Sequence, residues 1–156
     1  MLLNEVFPQD LIKVDLDADD KDEAFEELVD VFCSRRNFNR RSEILDSLRE
    51  REKLMSTGIQ KGIAIPHGRM DCLDDLYGML GISRKGIDYE ALDGDPVHLI
   101  FMILVPKHSE KHLRVLKRLA ELLSNPQFYK DLTMQKDAAG VSVVLKRYED
   151  SLIVQR

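Results

Sequence analysis

The feature that most constrains the fold is an apolar run from Val97 to Val105. A strand with one wet face alternates apolar and polar residues, whereas a strand covered on both faces is apolar almost throughout. The stretch Leu99–Val105 is also far too short to cross a bilayer. The run therefore predicts a central strand in a sheet with helices packed on both faces.

Periodic segments on either side of this run predict the neighbouring elements. Apolar residues alternate over 12–16, as in a half-buried strand, and further strand signals cover 62–66 and 76–83. Apolar stripes at helical spacing predict these helices: 21–35, 41–54, 110–124, a short one from Pro126, and one from about 140 onward. We expect an α/β fold, with a single mixed β-sheet sandwiched between helical layers, and one domain over residues 1–156 because no linker divides the chain.

The predicted helix ends carry residues of the types that cap helices. These residues are Asp19 and Asp20, Ser109, and Asn125 followed by Pro126. Within the 110–124 helix, the spacing predicts a buried face made of Leu113, Leu116, Ala120 and Leu123. His112 would border that face as a half-buried residue.

Charge and cysteine content narrow the functional classes. The 156 residues carry a net charge of −5, which argues against nucleic acid as the main partner because phosphate backbones need a basic face. The arginines at 35, 36, 40 and 41 are interpreted as helix ends and a solvated linker, or as a protein-docking patch. Cys33 and Cys72 are expected to be free thiols in the cytoplasm, since the N-terminus shows no signal-peptide pattern.

The most informative residue for chemistry is His67, which follows the apolar segment 63–65 and Pro66. Pro66 restricts the backbone before the histidine, and Gly68 removes side-chain bulk after it. The imidazole is therefore expected at the end of a strand, on a turn with little steric cover. Because a neutral imidazole nitrogen is nucleophilic, His67 is a candidate for taking and giving a phosphoryl group.

Phosphoryl transfer needs cations and hydrogen-bond donors around the three phosphoryl oxygens. The candidates are Arg51, Arg69, His112 and the backbone N–H groups beside the turn. His112 falls in the first turn of the 110–124 helix, where free N–H groups and the helix dipole favour an anion.

Two other site chemistries fit the sequence poorly. The segment from His108 to His112 lacks the His-Glu-x-x-His spacing of a zinc protease, because Glu110 stands one place too late. The segment Gly58–Gly62 lacks the longer glycine-spaced loop and the Lys-Ser/Thr ending of a P-loop. We therefore expect neither a metal nor a nucleotide cofactor.

A set of short motifs covers most of the chain up to about residue 132. They are Arg51-Glu-Lys-Leu54, Ser56-Thr57-Gly58-Ile59, Gly62-Ile-Ala-Ile-Pro-His67-Gly68-Arg69, Ala91-Leu-Asp-Gly94, Pro96-Val97, Val105-Pro106 and His112-Leu113. In this combination the chain resembles the fructose/mannitol type of enzyme IIA of the bacterial phosphoenolpyruvate-dependent phosphotransferase system (PTS). It is most similar to the stand-alone nitrogen-regulatory branch.

The resemblance implies roles for the site residues. His67 would be the phosphorylated residue, through Nε2, and Arg51 and His112 would flank the phosphoryl group. The residues that would support the phosphoryl site are Thr57, Gly68 and Arg69. The family's fold, a mixed sheet between helical layers, agrees with the fold expected from the pattern.

The resemblance further implies an HPr/NPr-type phosphocarrier as the phosphoryl donor. The acceptor would be an enzyme IIB domain in a sugar-transport system, or a regulatory target protein in the nitrogen branch. We expect mainly the nitrogen-regulatory role, since no second domain is fused to the chain. Sugar transport with a separate enzyme IIB, or regulation by binding alone, are the alternatives.

The chain departs from the family pattern at Gln60-Lys61, where relatives often have Gly-Asn. The departure bears on loop shape and partner contacts rather than on the nucleophile, and Lys61 is interpreted as a solvated loop residue. His98 stands where the family often has an acidic or polar residue. It is interpreted as structural because it is distant from the His67 turn.

Overall fold

The computed structural model describes residues 2–154, which form six helices around one six-stranded sheet. The helices are α1 (Leu3–Val6), α2 (Lys21–Arg36), α3 (Arg41–Leu54), α4 (His112–Leu123), α5 (Pro126–Thr133) and α6 (Ala138–Val154). The strands are β1 (Ile12–Lys13), β2 (Gly58–Gln60), β3 (Ile63–Ala64), β4 (His67–Met70), β5 (Tyr77–Ile87) and β6 (Val97–Pro106). A turn of 3-10 helix, Gln9–Leu11, precedes β1.

Strand β6 organises the sheet, whose order is β1-β5-β6-β3-β2. Along one side, β5 runs antiparallel to β6. Along the other side, β3 and then β4 pair with β6 in parallel, first at Leu99–Ile100 and then at Ile103–Pro106. The outer strands pair in opposite senses, β1 parallel to β5 and β2 antiparallel to β3. The sheet is therefore mixed, as predicted.

The side chains of β6 alternate between two apolar clusters. Even-numbered residues from Ile100 to Leu104 pack with the buried residues of α2 and α3. Odd-numbered residues from Leu99 to Val105 pack with those of α1, α4, α5 and α6. The predicted central strand and its two helical layers are confirmed. Within residues 2–154, no helix has the length and apolar character needed to span a membrane.

The strand before His67 departs from the prediction. The segment predicted as one strand over 62–66 pairs only at Ile63–Ala64, and the chain resumes pairing as β4 after Pro66. Proline has no N–H to donate to a ladder, which accounts for the interruption. The first strand is also shorter than predicted, since only Ile12–Lys13 of the 12–16 segment is paired.

Helix α4 also departs from the prediction. It begins at His112 rather than Glu110, and Ser109 is not its cap, because Lys111 occupies that position without a side-chain hydrogen bond. The buried residues of α4 are His112, Val115, Leu119 and Leu122. Leu113, expected to be buried, is 53% exposed, and Ala120 is exposed too. Apolar residues occupy both candidate faces, so the spacing determines the period of the helix but not which face is buried.

The remaining predicted elements agree with the structure. Asp20 accepts a hydrogen bond from the Glu23 N–H at the start of α2, and Asn125 accepts one from the Gln127 N–H at the start of α5. The cysteines at 33 and 72 are free and partly buried. Three of the four arginines interpreted as helix ends and linker form ion pairs: Arg36 with Asp10, Arg40 with Glu43, and Arg41 with Asp30.

The buried face of α4 can be tested by a matched pair of truncations. Leu119→Ala removes a fully buried side chain and should lower the free energy of unfolding by about 2–5 kcal/mol. Leu113→Ala removes an exposed side chain and should change it by less than about 0.5 kcal/mol. Urea unfolding followed by circular dichroism measures both values. The reverse order of effects would show that the helix is rotated about its axis.

Candidate active site around His67

Strand pairing places His67 at the start of β4 rather than on a turn, which corrects the prediction. Across the parallel ladder His67 lies opposite Ile103, whose N–H donates to the Pro66 carbonyl oxygen at 2.9 Å. The imidazole is half-buried instead of freely exposed. The strand therefore holds the backbone of His67 rigidly and leaves only one side of the ring open.

A serine on α3 fixes the helix to the strand that carries His67. The Ser47 hydroxyl donates to the Arg69 carbonyl oxygen and accepts from the Arg69 N–H, both at 2.9 Å. Gly68 lies next to these contacts, where a Cβ would stand only 2.8 Å from the Ser47 Oγ. Glycine at position 68 thus permits the close approach of α3 to β4, which brings the end of α3 beside His67.

Two hydrogen bonds set the orientation and tautomer of the His67 ring. Nδ1 lies 3.3 Å from the Ile65 carbonyl oxygen, which can only accept. Nε2 lies 3.3 Å from Nε of Arg51, which can only donate. The neutral ring therefore carries its proton on Nδ1 and keeps a lone pair on Nε2.

The last turn of α3 holds Arg51 in place. Besides its contact with His67, the guanidinium donates from Nη1 to the Met55 carbonyl oxygen at 3.0 Å. This second contact anchors the cation next to the imidazole independently of Nε2. A ligand that engages Nε2 would therefore find Arg51 already positioned beside it.

His112 approaches His67 from the opposite helical layer. The two rings are stacked, with centroids 6.2 Å apart and an interplanar angle of 28°. Arg69 donates from Nη2 to Nε2 of His112 at 3.1 Å, and from Nη1 to the carbonyl oxygens of Lys107 and Ser109. Arg69 thereby ties β4 to the loop that leads into α4.

His112 is more enclosed than the sequence indicated. It is 4% exposed rather than half-buried, and Nδ1 is a buried atom without a hydrogen-bond partner. Because Nε2 accepts from Arg69, the neutral ring carries its proton on Nδ1. The group that faces His67 is therefore a neutral imidazole beside a fixed guanidinium.

An open depression of about 570 Å³ gives access to this group of residues. Its lining is formed by Ser47, Glu50, Arg51, Leu54, His67, Gly68 and Arg69. The floor thus presents a nucleophilic nitrogen between two guanidinium groups. Such an arrangement suits an anionic group transferred to the imidazole.

The sequence matches a known family over nearly this whole structure. Residues 5–148 match the family described as "Phosphoenolpyruvate-dependent sugar phosphotransferase system, EIIA 2". The chain belongs to this family. Its members are phosphotransferase components that work through a phosphohistidine, so the predicted family and activity class are confirmed.

Two curated relatives show the range of the family. A nitrogen regulatory protein of Bradyrhizobium diazoefficiens is 32% identical over 93% of this chain and 95% of its own. The fructose-specific EIIABC component of Bacillus subtilis is 31% identical over 96% of this chain. The IIA chain spans only 24% of that larger Bacillus protein.

Solved structures agree on the fold. The nitrogen regulatory protein IIA-Ntr from Neisseria meningitidis is 33% identical, with a TM-score of 0.84 over 92% of this chain and 98% of its own. Enzyme IIAMTL from Escherichia coli, solved in complex with phosphorylated enzyme IIBMTL, is 19% identical. It superimposes with a TM-score of 0.73 over 88% of this chain and 94% of its own. At that identity the second likeness shows the fold alone.

The electrostatics of the site keep both histidines neutral. Burial lowers the pKa of His67 below its ordinary value, and the charges of Arg51 and Arg69 lower it further. Burial and the charge of Arg69 likewise lower the pKa of His112. Because the unfolded chain binds these protons more readily, stability contributed by the neutral rings is present above about pH 6.5 and falls as the pH drops below it.

Thr57, predicted to support the phosphoryl site, lies behind the site rather than in it. Its side chain is buried and contacts the Glu52 carboxylate and the Tyr89 hydroxyl. Sequence analysis missed Glu52, which is itself buried. The sequence did contain an indication that Glu52 is buried, because it continues the helical spacing of the buried residues Leu45 and Leu48 along α3.

The other residues singled out in the sequence lie apart from the depression. His108 is exposed, and within residues 2–154 no group of His, Cys, Asp and Glu side chains is arranged to hold a metal ion. Lys61 is exposed in a left-handed turn, where its N–H donates to Asp93. His98 lies 2.8 Å from the Ser83 carbonyl oxygen through Nδ1, which agrees with a structural role.

The effect of Arg51 on His67 can be measured directly. Arg51→Gln removes the cation and the Nε donor that favour the neutral ring, so the pKa of His67 should rise toward its ordinary value. Arg49→Gln is the matched control on the same helix, because Arg49 pairs with Asp22 and Glu26 instead. NMR titration of the His67 ring protons gives both values. An unchanged or lower pKa in Arg51→Gln would contradict the assigned contact.

Proposed function

We propose that Nε2 of His67 accepts a phosphoryl group from the phosphohistidine of an HPr/NPr-type carrier and later passes it on. The observation that carries the proposal is the tautomer, with the proton on Nδ1 and an unprotonated Nε2 whose lone pair accepts from Arg51. A nucleophile prepared in this way needs no proton removed before it attacks. The lowered pKa of His67 keeps that form dominant at neutral pH.

The transfer step follows from the geometry. Nε2 attacks the phosphorus while the phosphorus–nitrogen bond to the carrier breaks. The carrier imidazole, protonated on its other ring nitrogen, takes the electron pair of that bond and leaves as a neutral ring, while Nδ1 of His67 keeps its proton beside the Ile65 carbonyl oxygen. The negative charge on the phosphoryl oxygens is met by Arg51, with His112 on the opposite side. Each charge-assisted hydrogen bond of this kind contributes roughly 1.5–3 kcal/mol.

Apolar side chains around the depression give the carrier a surface to dock on. Leu54 lines the depression and is 80% exposed, Met55 is 59% exposed, and Leu113 at the start of α4 is 53% exposed. Several exposed apolar side chains grouped together mark a protein-binding surface, whereas single scattered ones do not. The same surface would serve the donor and the acceptor, because both must bring their reacting group to His67.

We propose a mainly nitrogen-regulatory role in the cytoplasm, in which phosphorylation controls binding to a target protein. The support is that the nitrogen regulatory relative and this chain match over nearly their full lengths. The alternative is transfer to a separate enzyme IIB, supported by the likeness to a fructose-specific component. A pull-down that compares His67→Asp with His67→Ala separates a regulatory target from an enzyme IIB.

Phosphorylation at His67 can be tested with purified components. Incubation with phosphoenolpyruvate, enzyme I and an HPr-type carrier should add one acid-labile, base-stable phosphate, which His67→Ala should abolish. His108→Ala is the control, because His108 is exposed outside the depression. Intact-protein mass spectrometry counts the phosphate. Labelling of His67→Ala at the wild-type rate would exclude His67 as the acceptor.

Replacing the flanking residues should slow the transfer of the phosphoryl group. Arg51→Ala and His112→Ala each remove a group beside the transferred phosphoryl, so transfer should slow by roughly 10²-fold. Quenched-flow measurement of single-turnover transfer from the phosphorylated carrier checks this. If both variants keep the wild-type rate, their proposed roles are wrong.

The docking surface is tested by Leu54→Asp. A charge in the centre of an apolar contact should raise the KM for the phosphorylated carrier by roughly tenfold and leave kcat nearly unchanged. Val143→Asp is the control, since Val143 is similarly exposed, at 64%, but belongs to α6. Steady-state transfer kinetics give both KM and kcat. Equal KM values for the two variants would contradict the proposal that the carrier docks on this surface.

A further inference from the structure

A buried carboxylate lies directly behind the His67 site. The Glu52 side chain is 5% exposed and accepts hydrogen bonds from the Thr57 N–H at 2.8 Å and the Thr57 hydroxyl at 2.6 Å. The Tyr89 hydroxyl lies 3.4 Å from one carboxylate oxygen, and Nζ of Lys21 lies 3.4 Å from the other. Burying a carboxylate is costly unless hydrogen bonds and an opposite charge offset the lost hydration, and these donors and Lys21 provide that offset.

Hydrogen bonds lead from this carboxylate to the imidazole. The Thr57 carbonyl oxygen accepts from the Ile65 N–H at 3.0 Å. The Ile65 carbonyl oxygen in turn lies 3.3 Å from Nδ1 of His67. Glu52 holds the N–H and the hydroxyl of Thr57, the residue whose carbonyl oxygen accepts from Ile65. Along this path each donor lies on the His67 side and each acceptor on the Glu52 side, with the carboxylate at one end and Nδ1 at the other.

We propose that Glu52 is a positioning residue, which holds the His67 ring through Thr57 and Ile65 with its proton on Nδ1 and its Nε2 facing the depression. The inference deepens the proposed function and rests on it, because the tautomer matters only if Nε2 is the nucleophile. It also gives Thr57 a role. Thr57 supports the phosphoryl site by relaying the position of Glu52 and not by touching the phosphoryl group.

The charged groups around His67 determine the direction in which Glu52 should shift the pKa of the His67 ring. The cationic groups that face the ring are Arg51 from α3 and Arg69 from β4, and His112 faces it as a neutral ring from α4. Glu52 is the acidic group that raises the pKa of His67 against these cations. Lys21, at the start of α2, offsets part of the Glu52 charge from the far side.

Two single substitutions should therefore act in opposite directions. Glu52→Gln removes the negative charge and should lower the pKa of His67, increase the fraction of the Nε2–H tautomer, and slow transfer by about tenfold. Lys21→Gln removes the offsetting cation and should raise the pKa of His67 while the Nδ1–H tautomer persists. The Glu52→Gln amide can be accommodated, because the hydroxyls of Thr57 and Tyr89 are able to accept from it.

The readout is the nitrogen-15 chemical shift of both His67 ring nitrogens across a pH titration, together with the single-turnover transfer rate. Thr57→Val, which lacks the hydroxyl, should reproduce part of the Glu52→Gln effect, and Thr57→Ser should restore the wild-type values. This second pair keeps the inference testable should Glu52→Gln fold poorly. If Glu52 had a purely structural role, the pKa of His67 would shift in the same direction in Glu52→Gln and in Lys21→Gln.

Unchanged tautomer and pKa in Glu52→Gln and Thr57→Val would overturn the inference, even if His67 is phosphorylated normally. Conversely, failure of the wild-type protein to take phosphate from the carrier would overturn the proposed function. The nitrogen-15 shifts do not depend on that reaction, so the two failures are distinguishable. Opposite pKa shifts in Glu52→Gln and Lys21→Gln, with rescue by Thr57→Ser, would support the relay.

Discussion

The rest of the structure depends on the central strand β6, which pairs along one side first with β3 and then with β4. β6 is buried on both faces and accepts β3 and then β4 along the same side. Between them Pro66 cannot donate to the ladder, yet its carbonyl oxygen still accepts from Ile103. Just before this interruption, Ile65 bonds to Thr57 on the other side of the strand, and its carbonyl oxygen lies 3.3 Å from Nδ1 of His67. The residues on either side of the proline thus connect His67 both to β6 and to the β2 side of the sheet.

The site forms where the two helical layers meet at the sheet. Arg51 comes from α3, in the layer that packs on the even-numbered residues of β6. His112 comes from α4, in the layer that packs on the odd-numbered residues. His67 lies between them in the sheet itself, and the Ser47 and Arg69 contacts fix each layer to β4. Neither helix alone could enclose the imidazole, so the site depends on the whole sandwich.

Local pattern was enough to predict some of this arrangement. Three features could be predicted because each depends on residues close together in the sequence. The continuous apolar run predicts the buried strand β6, and helical periodicity predicts α3. The proline before His67 and the glycine after it mark the candidate nucleophile. Arg51 and His112 were already candidates, and the family resemblance implied that they flank the phosphoryl group. The buried face of α4 was predicted only in part: Leu116 and Leu123 pack on the core, but Leu113 and Ala120 are exposed. The spacing admits two faces, and Arg69 binds the one that carries His112.

Contacts between distant parts of the chain could not be predicted in the same way. Ser47 is an ordinary polar helix residue until β4 approaches it. The helical spacing places Glu52 on the buried stripe of α3 but does not indicate that Thr57 and Tyr89 enclose it. Both contacts depend on tertiary packing, which a single sequence does not encode locally. They are also the contacts that set the position of α3 and the orientation of His67.

The charge of the site is opposite to that of the protein, and this contrast bears on the proposed role of His67 as both the nucleophile and the carrier of the phosphoryl group. The chain has a net charge of −5, yet two guanidinium groups face His67. Cations beside a neutral imidazole disfavour its protonation and so preserve the Nε2 lone pair. The same cations stabilise the dianion once the phosphoryl group is attached. Proton and phosphoryl group therefore compete for one nitrogen, and the two arginines favour the phosphoryl group in that competition.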